Sequence, residues 1–295
     1  MSKSEVKKDL GRVLTKNHKS NLRLMNKLIC KKIIITALIF YVFLLVFMFV
    51  FQRGLQYRPS GKMLSVSYYG LGGFREKILV TQDQQKILAW YKEPRVGQKM
   101  IVYFHGNSGN LGARAHKFND FADSGFGVLA ISYRGFAGSE GKPSEQGLIK
   151  DGEAAIKFLT DNNYQLQDLI FFGESLGSGV AVQMAAKFTP YALILESPYS
   201  SITAVAQRTY WFIPAGLLLR DKFESIKFAP KIAAPVLIFH GTKDRVVAYS
   251  EGKKLFKSFK SQKDLIKVKG AGHLDFTDDF LVDEMNKFLS NVITK

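Results

Sequence analysis

Phe171-Phe172-Gly173-Glu174-Ser175-Leu176-Gly177-Ser178-Gly179 is the stretch whose reading decides the fold. A short apolar run, Leu169 to Phe172, enters a Gly-x-Ser-x-Gly turn, and Val180, Ala181, Met184 and Ala185 then recur at helical spacing. A serine on a sharp strand-to-helix turn is lifted clear of its neighbours, which is where a nucleophile has to be. Glycines two residues to either side, Gly173 and Gly177, let strand, helix and substrate come close. A chance Gly-x-Ser-x-Gly in a loop would lack the strand before it and the helix after it.

Outward from this turn, apolar runs of strand length alternate with helical segments, the pattern of βα units in a parallel sheet. Strands are expected at Ile101–Phe104, Val128–Ile131, Leu169–Phe172, Ala192–Leu195, Pro235–Phe239 and Leu265–Val268. Helices are expected at Leu111–Ser124, Glu145–Asn162, after Ser175, at Ser250–Phe259 and at Val282–Val292. Before them, Met63–Tyr69, Phe74–Val80 and Gln85–Lys92 read as antiparallel opening strands. The rhythm breaks between 197 and 230, where Tyr199, Tyr210, Trp211, Phe212, Leu217 and Phe223 suggest a small helical cap. The expected class is therefore α/β, with a mostly parallel sheet and helices on both faces.

The first fifty residues are of another kind. Residues 1–32 hold ten lysines or arginines against two acids, a large part of the +17 formal charge of the 295-residue chain. A basic tail can signal nucleic acid, but residues 33–51 follow it with nineteen consecutive uncharged positions, almost all apolar. At 1.5 Å per residue these span roughly 30 Å, the thickness of a bilayer's hydrocarbon core. Gln52-Arg53-Gly54-Leu55-Gln56 offers no Ala-x-Ala cleavage pattern, so an uncleaved anchor is expected rather than a signal peptide. The excess of cations before the span puts the N-terminus in the cytoplasm and the larger domain on the other side. Nucleic acid is not expected as a partner. Cys30 is the only cysteine, so no intramolecular disulfide can form; at the edge of the span it is a candidate for acylation.

A serine nucleophile needs a base, a group to orient that base, and donors for the oxyanion. Of five histidines, His18 lies before the anchor, His116 falls inside an expected helix, and His105 and His240 each end a strand ahead of a glycine. His273, in the loop Gly270-Ala271-Gly272-His273 after the last strand, is the candidate base. Asp244, directly after a strand end, is the candidate acid; Glu196 competes with it, and Asp275 lies too near His273 in sequence. The backbone N–H of Leu176 and that of Asn107, in the glycine-rich loop His105-Gly106-Asn107-Ser108-Gly109-Asn110, are the expected oxyanion donors. That loop lacks the Gly-Lys-Ser/Thr of a nucleotide site, and no Cys/His or paired-carboxylate spacing points to a metal, so no cofactor is expected.

Together, His105–Asn110, Tyr133-Arg134-Gly135-Phe136-Ala137-Gly138-Ser139-Glu140-Gly141, Gly173–Gly177 and Gly241-Thr242-Lys243-Asp244 resemble an α/β-hydrolase, and the order Ser175, Asp244, His273 is the family's order of nucleophile, acid and base. The resemblance covers residues 52–295, following a basic tail at 1–32 and a transmembrane anchor at 33–51. It is strongest to a branch with a single N-terminal membrane anchor, whose relatives include protein depalmitoylases. Those carry a cysteine-rich N-terminus where this chain has Cys30 alone. The resemblance implies a membrane-anchored serine esterase or thioesterase acting on small-molecule or lipid acyl substrates. Amide or peptide hydrolysis uses the same three residues, and a catalytically silent, membrane-tethered binding protein shares the scaffold; both remain open at this point.

Overall fold

The computed structural model describes residues 2–292. The chain divides into two compact units, residues 1–51 and 52–295. Helix α1 runs from Lys3 to Gln56, so the basic segment ahead of the apolar stretch 33–51 is helical and continuous with it. From Asn21 onward this helix is long and apolar enough to cross a membrane, and most side chains between Ile33 and Phe51 are exposed. A core helix of a globular protein would bury such a face.

The second unit contains, in chain order, β1 (Arg58–Pro59), β2 (Arg75–Val80), β3 (Lys86–Lys92), β4 (Met100–Phe104), β5 (Ser108–Gly109), α2 (Ala115–Asp123), β6 (Gly127–Ile131) and α3 (Glu145–Asp161). These are followed by β7 (Leu169–Glu174), α4 (Leu176–Lys187), β8 (Ala192–Glu196), α5 (Ile202–Thr209), α6 (Ala215–Leu218) and α7 (Ser225–Phe228). Then come β9 (Val236–Gly241), α8 (Tyr249–Ser258), β10 (Lys263–Val268) and α9 (Asp278–Ser290). Among the described residues eight strands form one sheet in the order β10-β9-β8-β7-β4-β6-β3-β2, while β1 and β5 make a separate two-stranded parallel pair. From β10 to β6 all neighbours are parallel; β3 is antiparallel to both β6 and β2.

The central strands are buried on both faces, which is why they read as unbroken apolar runs. Alternate residues serve opposite layers. In β4, Met100, Val102 and Phe104 face the core shared with α3, α4 and α8, while Ile101 and Tyr103 face the core shared with α2 and α9. The helices pack on the two faces in the manner of an α/β-hydrolase. Three short helices, α5 to α7, occupy the interval where the aromatic residues broke the βα rhythm.

The segment Met63–Tyr69, expected as an opening strand, is instead a series of turns. Its amides close on nearby carbonyls, Tyr68 on Ser65 and Gly70 on Ser67, at 3.0 and 3.1 Å. Met63, Val66 and Tyr69, three apart, are the residues packed on the core. An apolar–polar alternation in the sequence concealed a period of three, and the period of three won because it puts all three side chains on one surface.

Candidate active site

Strand β7 delivers the chain to Ser175, and α4 takes it away. Ser175 has φ 48° and ψ −114°, a conformation that side-chain-bearing residues adopt only under strain. The turn is held by its neighbours: the Ser175 N–H donates to the Glu196 carbonyl at 2.9 Å, bolting the tip of β7 to the end of β8. Gly177 has to be glycine, because a Cβ there would run into the carbonyls of Phe104 and His105. This is the close approach that the Gly-x-Ser-x-Gly spacing implied, and it presses the start of α4 against the loop containing Asn107.

The Ser175 hydroxyl lies 2.8 Å from Nε2 of His273, and Nδ1 of the same ring lies 2.7 Å from Oδ2 of Asp244. A carboxylate only accepts, so Nδ1 carries the proton and the Nε2 lone pair receives the serine hydroxyl. The three residues, 98 and 29 positions apart along the chain, thus join in one line of hydrogen bonds. His273 is placed by its loop: Gly272 N–H donates to Asp275 at 2.8 Å, Lys243 N–H donates to the Ala271 carbonyl at 2.9 Å, and the Ser197 hydroxyl donates to the His273 carbonyl. Asp275 therefore shapes the loop and does not contact the imidazole through any of these bonds.

Asp244 is fully enclosed. Its Oδ1 accepts the N–H groups of Val246 and Val247, both at 2.8 Å, and His240 Nε2 stands 3.3 Å from its Oδ2. Burial by itself would raise this carboxyl, but hydrogen bonds from His240, His273 and the Val247 amide more than offset it and hold the group well below the usual carboxylate range. Asp244 is thus kept as an anion. His240, which the sequence suggested only as a loop brace, also bonds the Val247 carbonyl at 2.9 Å and so clamps the turn carrying Asp244.

The loop after β4 is fixed from both sides. Asn107 accepts from Arg58 N–H at 2.7 Å, and its side chain donates to the Gln56 carbonyl at 3.2 Å. His105 is buried and its pKa is lowered to about 3, chiefly by desolvation and then by the charge of Arg114. Its Nδ1 meets the Gly106 carbonyl at 2.7 Å while Nε2 accepts the Tyr133 N–H at 3.3 Å, a pairing that suits a neutral ring. It braces two loops.

Beneath the turn lies a cluster the sequence reading did not anticipate. Glu174, the residue before the serine, is gripped by Arg114 (2.6 Å), accepts the Gly106 N–H (3.1 Å) and takes the Tyr103 hydroxyl. Lys117 bonds Glu196 at 2.6 Å and reaches toward Glu174 at 3.9 Å. Glu196, the rival for the orienting acid, is therefore committed to Lys117. Burial would raise the Glu174 carboxyl, but Arg114 and Lys117 outweigh it and keep it below its ordinary range. The available clue was a pair of cations three apart, Arg114 and Lys117, at the head of an amphipathic helix. Elsewhere, His116 pairs with Asp278, and among the described residues no group of three or more His, Cys, Asp or Glu is arranged to hold a metal ion.

Comparison with known proteins agrees with the fold. Residues 96–219 and 221–279 match the family model described as serine aminopeptidase, S33. An uncharacterized protein of Mycobacterium tuberculosis is 32% identical over 88% of this chain and 96% of its own length. The human alpha/beta hydrolase domain-containing protein 17B is 33% identical over 59% of this chain and 60% of its own. Among solved structures, an esterase of Pyrococcus furiosus superposes with a TM-score of 0.66 at 17% identity, covering 81% of this chain and 97% of that one. With a parallel sheet, a strained serine between β7 and α4, and a family model matched across most of the second unit, this chain belongs to the serine aminopeptidase S33 family of the α/β-hydrolase superfamily.

Proposed function

We propose that the protein is a membrane-anchored serine hydrolase that cleaves carboxylic esters or thioesters of hydrophobic acyl groups. The observation that carries this reading is the continuous line from Asp244 through His273 to the Ser175 hydroxyl. His273 Nε2 takes the hydroxyl proton as Ser175 Oγ attacks the acyl carbonyl, and Asp244 stabilises the imidazolium that forms. The tetrahedral oxyanion is received by the backbone N–H groups of Leu176 and Asn107; losing one such donor typically costs about 3 kcal/mol in the transition state. His273 then gives its proton to the departing alkoxide or thiolate, leaving an acyl-Ser175 ester. Water, deprotonated by the same imidazole, releases the acid and restores the serine.

Residues 33–51 serve as the anchor, with the N-terminus cytoplasmic and the hydrolase domain on the opposite face. The exposed apolar helix and the cations ahead of it support this topology. The apolar residues of the α5–α7 segment favour an acyl chain over a polar substrate. The family's description as serine aminopeptidase favours amide hydrolysis as the second reading. A panel of p-nitrophenyl acyl esters, acyl thioesters and aminoacyl amides separates the two. The account predicts turnover of esters or thioesters that Ser175→Ala abolishes; turnover of amides alone would replace it with the second reading.

A further inference from the structure

The segment between β8 and β9 carries an apolar face that its own packing does not cover. Leu217 is 85% exposed, Trp211 78%, Phe212 45% and Tyr210 37%. Local hydrogen bonds hold its backbone. Gln207 donates to the Trp211 carbonyl at 3.0 Å and accepts from the Ala215 N–H at 3.3 Å, while Ile213 and Ala215 are buried beneath. Trp211 and Phe212 meet edge to face with centroids 5.7 Å apart. A surface of this composition, in a unit whose other large aromatics apart from Tyr68 are buried or half-buried, marks an interaction site.

The start of the second unit is fastened to this same segment. Gln52 donates to the Leu218 carbonyl at 3.1 Å and accepts the Arg220 N–H at 2.7 Å. Arg53 forks onto Asp221 at 2.8 and 3.1 Å, and Gln56 donates to the Asp221 carbonyl at 3.2 Å. Gln52 directly follows Phe51, the last residue of the apolar span. Leu217 is therefore one residue from a carbonyl bonded to Gln52, the residue that follows the apolar span in sequence.

We propose that Tyr210, Trp211, Phe212 and Leu217 form a surface that seats in the headgroup and upper acyl region of a phospholipid bilayer. The inference rests on the anchor reading of residues 33–51. Tryptophan and tyrosine favour this zone because the ring is apolar and its N–H or O–H stays wet. Arg208, exposed beside the face, suits a lipid phosphate. The face belongs to the segment that also borders the strained serine: Tyr199 donates to the Leu176 carbonyl at 2.9 Å, and Phe223 packs beside Gly179. Seating it would hold the hydrolase domain with this border toward the lipid.

The chain has two tryptophans, and Trp90 is fully buried, which makes Trp211 a built-in reporter. The full-length protein is reconstituted into phosphatidylcholine–phosphatidylglycerol vesicles with ordinary or brominated acyl chains, beside Trp211→Phe to define the Trp90 signal. The proposal expects brominated lipid to remove most of the Trp211 emission and leave Trp90 unaffected. Protein that floats with the vesicles after a carbonate wash, yet shows equal Trp211 emission in both, overturns the seating while leaving the anchor intact. Protein that fails to float overturns the anchor and the seating with it. Trp211 shielded within a protein–protein crosslink and unquenched assigns the face to a second copy, which also overturns the proposal.

Discussion

Replacing Arg114 by methionine should be among the most damaging single changes in the domain, although Arg114 touches none of the three aligned residues. Its guanidinium bonds Glu174 at 2.6 Å and the carbonyls of Ser108 and Asn110 at 2.9 and 3.1 Å. The two side chains are only 10% and 2% exposed, so little water can take the arginine's place. Methionine fills much of the stem's volume and leaves the Glu174 carboxylate with Lys117 at 3.9 Å as its nearest cation. Removing one partner of a buried pair costs about 3–5 kcal/mol. For a domain of this size, at about 2–4 °C per kcal/mol, the melting temperature should fall by about 6–20 °C. Arg114→Met/Glu174→Gln removes the orphaned charge while keeping an acceptor for Gly106, and should recover more than half of the loss. Thermal unfolding of wild type, single and double variants by circular dichroism measures this. A single variant within about 1 kcal/mol of wild type, or a double variant no better than the single, would refute the reasoning. Because Glu174 also holds Gly106, the residue before Asn107, turnover by the surviving folded single variant should drop in kcat more than it rises in KM.

Three further outcomes follow from the same geometry. Ser175→Gly removes the nucleophile and relieves the φ 48° strain, so an inactive protein stabilised by about 1 kcal/mol is expected; equal or lower stability in a denaturant titration would count against strain at the turn. Asp244→Asn should lose most hydrolytic activity, because an amide no longer fixes the imidazole tautomer. Its stability defect should also depend on pH. The folded carboxyl is more acidic than its ordinary value of 3.8, so its contribution is complete above that value and is lost as the pH falls below it. The gap between wild type and variant should thus narrow progressively as the pH falls below 3.8, and a gap as wide at pH 2 to 3 as at pH 7 would contradict the assignment. Externally added protease on intact cells should spare the short N-terminal side and, where the far side is exposed, digest residues 52–295; cleavage confined to the N-terminal side would reverse the topology.

The strands and helices from Met100 onward were legible because parallel strands covered on both faces have no polar side to interrupt them, and the helices between them keep a regular apolar stripe. Ser175, Asp244 and His273 were legible for a related reason: each follows a strand at the sheet's carboxyl edge, where loops converge. The Arg114–Glu174 and Lys117–Glu196 pairs were not, since they join residues 60 and 79 positions apart and a charged residue in sequence reads as solvated until its partner is known. His240 was seen as a brace, but its contact with Asp244 depends on how the turn 241–247 folds back. Met63–Tyr69 failed differently: both a strand and a chain of turns satisfy its composition, and only the surface it packs on selects between them. The helix through residues 3–32 was not anticipated because a cation-rich stretch without an apolar stripe carries little helical signal of its own.

The central claim is that Ser175 is an activated nucleophile, and the most direct measurement is covalent capture. A fluorophosphonate probe followed by peptide mass spectrometry should place one adduct on Ser175 in wild type, none in Ser175→Ala, and much slower labelling in His273→Ala. Labelling that is as strong in Ser175→Ala as in wild type, or a folded wild type that never reacts, would contradict the account.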